Sequence, residues 1–255
     1  MQSAKWVSFG ISNALTRTVV HFFPSEGGVT APYPATCALR VFGHGVQEKR
    51  VVIEGARLSH PDGVRVEDAF PALKSDQAGI FGLEIEVATI QPRVEMSFSG
   101  CVIELASKGH SAKFWPKRAI VVPSTNAHLT PASATKVEDT TPQTPIVAPL
   151  IRDSFNTSSI VVVNGGTDAY RPQVCTLSPD AQPQEMPISS SLPSSAVETN
   201  LDEPFFESAK ADECGWGLVR TRTLLLRDAS SIVPRAAFLM YRDSLTRRPV
   251  SVVAL

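Results

Sequence analysis

The 255-residue sequence has no apolar run approaching the ~18 to 20 residues a membrane helix requires, so no membrane span is read in it. None of its four cysteines forms a CxxC pair, and its histidines, His21, His44, His60, His110 and His128, are scattered with no two at ligand spacing. A metal site is therefore not expected, and no cofactor is assigned. Gly-x-Ser-x-Gly and Cys-His-Asn patterns are missing as well; an enzyme stays the competing class, because a triad can assemble from distant residues. A bulk charge of one sign is also missing. The 24 Lys and Arg nearly balance the 25 Asp and Glu, leaving a net charge of -1 and no basic domain for a nucleic acid. Met1 to Trp6 carries one Lys and no apolar block of ~7 to 15 residues follows, so a secretory signal is not visible and the cytoplasm is the default compartment. Finally, there is no 3.6-residue apolar period of helical length.

What the chain does contain is a repeat. Glu67-Asp68-Ala69-Phe70, ten residues, then Phe81-Gly82-Leu83 recurs as Asp202-Glu203-Pro204-Phe205, ten residues, then Trp216-Gly217-Leu218, an ungapped match. Seven short strands are expected in the first half, over 16–23, 35–42, 49–54, 64–70, 79–90, 95–106 and 112–121, after a mixed stretch over 1–15 that reads as a short lead-in strand. In the longest, Phe81, Leu83, Ile85 and Val87 alternate with Gly82, Glu84, Glu86 and Ala88, the period of a strand buried on one face. Residues 122–149 are crowded with Pro, Thr, Ser and Ala and read as a semi-extended linker. Seven strands follow over 158–163, 171–177, 184–189, 196–206, 216–226, 234–242 and 249–255. Asn164-Gly165-Gly166 reads as a tight turn, because no Lys-Ser/Thr and no helix follow it. The fold class expected is all-β: two tandem antiparallel β-sandwich domains, 1–121 and 150–255, joined by the linker 122–149.

The sandwiches resemble immunoglobulin domains in architecture only. Cys37 on the second strand and Cys101 on the sixth hold the places of an inter-sheet disulfide. Cys175 matches Cys37 in the second repeat, but Ala236, Ala237 and Phe238 stand where the second Cys is expected, and free buried thiols are the reading. Adjacent strand residues point to opposite faces, so Glu67-Asp68 and Asp202-Glu203 cannot share a proton or a metal and read as solubilising residues at a strand end. Asn156-Thr157-Ser158 is a sequon that the missing secretory route makes incidental.

One difference between the repeats bears on partners. With one residue of slippage after the aromatic-Gly-Leu triplet, Glu84 and Glu86 in the first align with Arg220 and Arg222 in the second, inverting the charge of one strand face. Together with Trp216 these residues are the candidate partner contacts, for head-to-tail association or a protein partner. The functional expectation is a non-catalytic binding, adaptor or assembly component. The competing expectations are an enzyme or accessory subunit with a site between the domains, and a module for small ligands or carbohydrate.

Overall fold

The computed structural model describes residues 3–22, 35–43, 46–54, 61–74, 79–89, 101–119, 146–152, 155–172, 174–178, 181–185, 188–201, 210–214, 217–226 and 235–255. They are nearly all β. The strands of the first half are β1 (Ser3–Ser12), β2 (Thr16–Phe22), β3 (Ala35–Gly43), β4 (Val46–Glu54), β5 (Val64–Arg65), β6 (Gly79–Thr89), β7 (Cys101–Ser107), β8 (His110–Phe114) and β9 (Lys117–Ala119). A one-turn helix α1 (Val66–Ala69) and a 3-10 turn (Pro71–Lys74) lie between β5 and β6. The second half supplies β10 (Ile146–Arg152), β11 (Asn156–Asn164), β12 (Val174–Ser178), β13 (Ala181–Glu185), β14 (Ser195–Asn200), β15 (Lys210–Cys214), β16 (Gly217–Leu226), β17 (Arg235–Asp243) and β18 (Pro249–Ala254).

These strands form four antiparallel sheets. Their orders are β4-β3-β6-β1-β9, β5-β2-β7-β8, β14-β11-β17-β18, and β10-β16-β12-β13 with β15 also on β16. The β6 sheet has two buried faces. On one, Phe81, Leu83, Ile85 and Val87 look towards the β2–β7 sheet, whose Val20, Phe22, Ile103 and Leu105 complete the layer. Thr18 Oγ1 ties the two sheets, accepting from Ile11 N–H and donating to Ile11 O, both at 2.8 Å. On the other face, Val7, Phe9 and Phe42 pack against the β11–β17 sheet, and one continuous core runs through Phe9, Phe114, Val161, Val163, Phe238, Met240 and Val252. The rings of Phe9, Phe114 and Phe238 meet with centroids 5.2 to 5.7 Å apart. The halves therefore share apolar packing among the described residues.

The Phe-Gly-Leu motif has a packing reason. Gly82 sits opposite Phe42 in the register and Gly10 opposite Phe81; a Cβ on either glycine would collide with the partner ring. Each glycine lets an aromatic ring lie flat across the neighbouring strand.

Several expected elements differ. The short lead-in strand expected within 1–15 is a ten-residue element, β1, bonded to β6 and β9. The strand expected over 64–70 stops at Arg65, and the chain turns into α1, with Phe70 N–H donating to Val66 O at 2.9 Å. Val66, Phe70 and Leu73 all face the core there, a helical spacing of four and three. The segment expected over 112–121 bends at Trp115-Pro116 and leaves one sheet for another as β8 and β9. In the second half β13 lies earlier than the expected 184–189, β14 ends at Asn200 within the expected 196–206, of which 202–206 lie outside the described residues, and β10 takes in the last four residues of the stretch read as linker. Residues 95–100 and 120–145 lie outside the described residues.

Candidate interaction surfaces

Glu84 and Glu86 project from one face of β6, as the alternation requires. Arg40 lies directly across from Glu84 in β3, and its Nη1 donates to Glu84 Oε1 at 2.6 Å. The guanidinium is also 4.9 Å over the Phe42 ring, and its Nη2 donates to Ser194 Oγ at 3.3 Å, a contact from the first half to the second. Glu84 is only 7% exposed, so it is a buried, paired carboxylate rather than part of a solvated stripe. Glu86 is more open and pairs with Arg50 at 2.9 Å. Arg220 and Arg222 lie in β16, opposite Arg152 and Leu150 of β10. Only their backbone is described, and Trp216 lies outside the described residues.

Three polar groupings escaped the sequence reading. Glu67 is not a solubilising residue: it is 3% exposed, while its neighbour Asp68 points out and pairs with Lys74 at 3.1 Å. Glu67 Oε1 accepts the Thr18 N–H at 2.9 Å, and Oε2 has no hydrogen-bond partner among the described residues. Burial pushes this carboxyl above its ordinary pKa, offset only in part by the Thr18 and Glu67 N–H groups, Ser12 and Arg17. On the outer face of the β2–β7 sheet, His21 Nε2 lies 2.6 Å from Glu104 Oε2, with Lys113 Nζ 3.7 Å from the same oxygen. Burial raises Glu104, but hydrogen bonds from His21 and Ser111 and the Lys113 charge outweigh it and hold the carboxyl low. In the second half, Arg242 forks onto Glu198 with Nε and Nη2 at 2.8 and 2.9 Å, and Ser159 Oγ donates to the same carboxylate at 2.6 Å. No signal within any one strand pairs Glu67 with Thr18, His21 with Glu104 or Arg242 with Glu198, since each of these contacts joins segments far apart in sequence.

The expected turn after β11 is present. Asn164 holds it, its Oδ1 accepting the Gly166 N–H at 3.1 Å and its Nδ2 donating to Asp168, Ser191 and Leu192 carbonyls at 2.6 to 3.1 Å.

One end of the molecule carries exposed apolar turn residues. Leu15 in the β1–β2 turn, Phe155 before β11 and Leu245 in the β17–β18 turn are 52%, 55% and 88% exposed. Ser244 N–H donates to Phe155 O at 2.7 Å, joining two of these turns, and Arg248 Nη1 donates to Lys108 O at 3.1 Å, joining the second-half end to the β7–β8 turn. Thr16, next to Leu15, pairs with Ser107, next to Lys108, so all four turns lie together. Asp243 fixes the Leu245 turn, accepting from Thr246 N–H and Oγ1 and from Leu245 N–H.

Among the described residues no three His, Cys, Asp or Glu side chains gather to hold a metal ion. No helix among them is long and apolar enough to cross a membrane. No protein-family model, curated protein or solved structure matches the chain.

Proposed function

We propose that the chain is a non-catalytic protein-binding or assembly component built from a duplicated β-sandwich, and that it docks a protein partner through the turn end carrying Leu15, Phe155 and Leu245. The duplication is supported by strand order: β4-β3-β6-β1 has its counterpart in β13-β12-β16-β10, and β5-β2-β7-β8 in β14-β11-β17-β18. With β9 and β15 as additions, the first to eighth strands of each half take the same places. The observation that carries the binding reading is the exposure of three large apolar side chains on adjoining turns, where single exposed residues would need no explanation but a cluster at one end marks an interaction site. The Arg40–Glu84 and Arg50–Glu86 pairs support a different role for the acidic face than head-to-tail association, namely holding β3, β4 and β6 in register.

Affinity purification of the tagged chain from its own cells, with mass spectrometry and sizing of the eluate, tests the reading. A stoichiometric partner recovered with the native chain and lost from the Leu15→Ser, Phe155→Ser, Leu245→Ser variant supports it. A lone monomer in both purifications refutes it.

A further inference from the structure

Cys37 and Cys101 come from opposite sheets of the first half and enter the same buried layer. Cys37 belongs to the inward set Cys37, Leu39 and Val41 of β3, opposite Val87 of β6 and Ile53 of β4. Cys101 opens β7, opposite Phe22 of β2, on the face that carries Ile103 and Leu105. Both lie towards the same end of the layer, since Val87 is near the end of β6 and Phe22 ends β2. Both side chains are fully buried and free.

The geometry points to Cys37 and Cys101 as an inter-sheet dithiol, the site at which a two-electron oxidation joins β3 to β7. With glutathione disulfide as oxidant, one cysteine thiolate attacks it, forming a mixed disulfide and releasing one glutathione thiolate. The second cysteine thiolate then displaces the other glutathione. Two S–H bonds are lost and one S–S bond is formed, while glutathione disulfide is reduced to two thiols that take up the two protons. Among the described residues the second half shows no equivalent pair. Cys175 is buried in β12, but β17, across from it by strand order, offers Ala236 and Ala237.

The reaction accompanies folding rather than following it. Burial pushes the Cys37 thiol up to about 12, with Glu86 adding to it, and raises Cys101 as well, so the folded protein presents almost no thiolate and no access for the oxidant. The bond would close a long loop between β3 and β7 and constrain the unfolded chain accordingly.

The test refolds the reduced, denatured full chain in a glutathione redox buffer and reads intact mass, peptide maps and Tm. The expected result is a loss of about 2 Da, a Cys37–Cys101 peptide, and a Tm about 10 °C above the reduced protein. The Cys175→Ser, Cys214→Ser variant keeps both effects, and Cys37→Ala or Cys101→Ala, whichever folds, loses them. Four free thiols after redox refolding of the native chain, or a bridge that maps to Cys175 or Cys214, overturns the inference.

Discussion

Phe238→Ala probes whether the two halves stand alone or are held by the packing between them. Phe238 is fully buried in β17 and its ring meets Phe9 at 5.2 Å and Phe114 at 5.7 Å, both first-half residues. Removing a buried Phe side chain destabilises by about 3 to 5 kcal/mol through lost transfer energy and the cavity left behind. The two edge-on ring contacts add up to about 1 kcal/mol each, which places this site near the top of that range. At about 2 to 4 °C per kcal/mol for a chain of this size, Tm should fall by roughly 10 to 20 °C. Calorimetry with hydrogen exchange followed by mass spectrometry reads the result. Protection in β1 and β6 should drop together with protection in β11 and β17, because the lost ring lay between the sheets. Phe155→Ala, at an exposed turn, serves as control and should move stability by no more than about 0.5 kcal/mol. A loss confined to β11 and β17, or a destabilisation below about 1 kcal/mol, refutes the shared core.

Arg40→Ala leaves Glu84 buried without its partner and should cost about 3 kcal/mol in urea denaturation, whereas Arg40→Met with Glu84→Leu should return close to the native value; equal losses in both variants would show that the pair's charge is not what matters. Glu67 gives a pH dependence. Its folded-state pKa lies above the ordinary 4.5, so the group's favourable contribution is complete below about 4.5 and is lost as pH rises through the raised value. Glu67→Gln should therefore gain stability relative to the native chain as pH rises above about 4.5, and a difference that stays constant from there to neutral pH contradicts the assignment. Gly82→Ala should destabilise by about 2 to 3 kcal/mol despite the better strand propensity of alanine, because the added methyl meets the Phe42 ring; Phe42→Leu in the same background should recover part of the loss, and no recovery would mean the ring is not the obstacle.

Alternation told where a strand was buried on one face, and it told less where both faces were covered. β2, β6, β17 and β18 lie within two residues of their expected positions, because β-branched and aromatic runs ended at clear breakers. β1 is legible only as a short lead-in strand without bounds, because Trp6, Val7, Phe9 and Ile11 are all buried, on two faces, and its sequence shows no clean period. α1 was legible in principle, since Val66, Phe70 and Leu73 keep helical spacing, but the neighbouring Val64 to Phe70 run also fits a strand. Glu84 was correctly placed away from Phe81 and Leu83. That its face would be covered by β14 depends on a strand more than a hundred residues later, which no local period carries. The burial of Glu67 is likewise set by the Thr18 amide and by nothing adjacent to it in the chain.

The proposed duplication explains why equivalent sheets have different sequences. In the β2–β7 sheet one face is apolar, and the other carries Arg17, His21, Glu104 and Lys113, so β7 reads Cys101, Ile103 and Leu105 inward and Val102, Glu104 and Ala106 outward. In its counterpart, β11 is buried at every position from Ser158 to Asn164, and β17 from Ala236 to Met240. One set, Val161, Val163, Ala236, Phe238 and Met240, belongs to the core shared with the first half; the other, Ile160, Val162, Ala237 and Leu239, is buried on the opposite face. A strand with two covered faces has no use for alternation and becomes a continuous apolar run, while a strand at the outside of the stack must keep one polar face. The change of pattern from β7 to β17 is thus a record of position. It marks the first-half sheet as the solvated end of the stack and the second-half sheet as an interior layer, which meets Val7, Phe9 and Phe42 on β1 and β3 and, beside them, the paired Arg40 and Glu84.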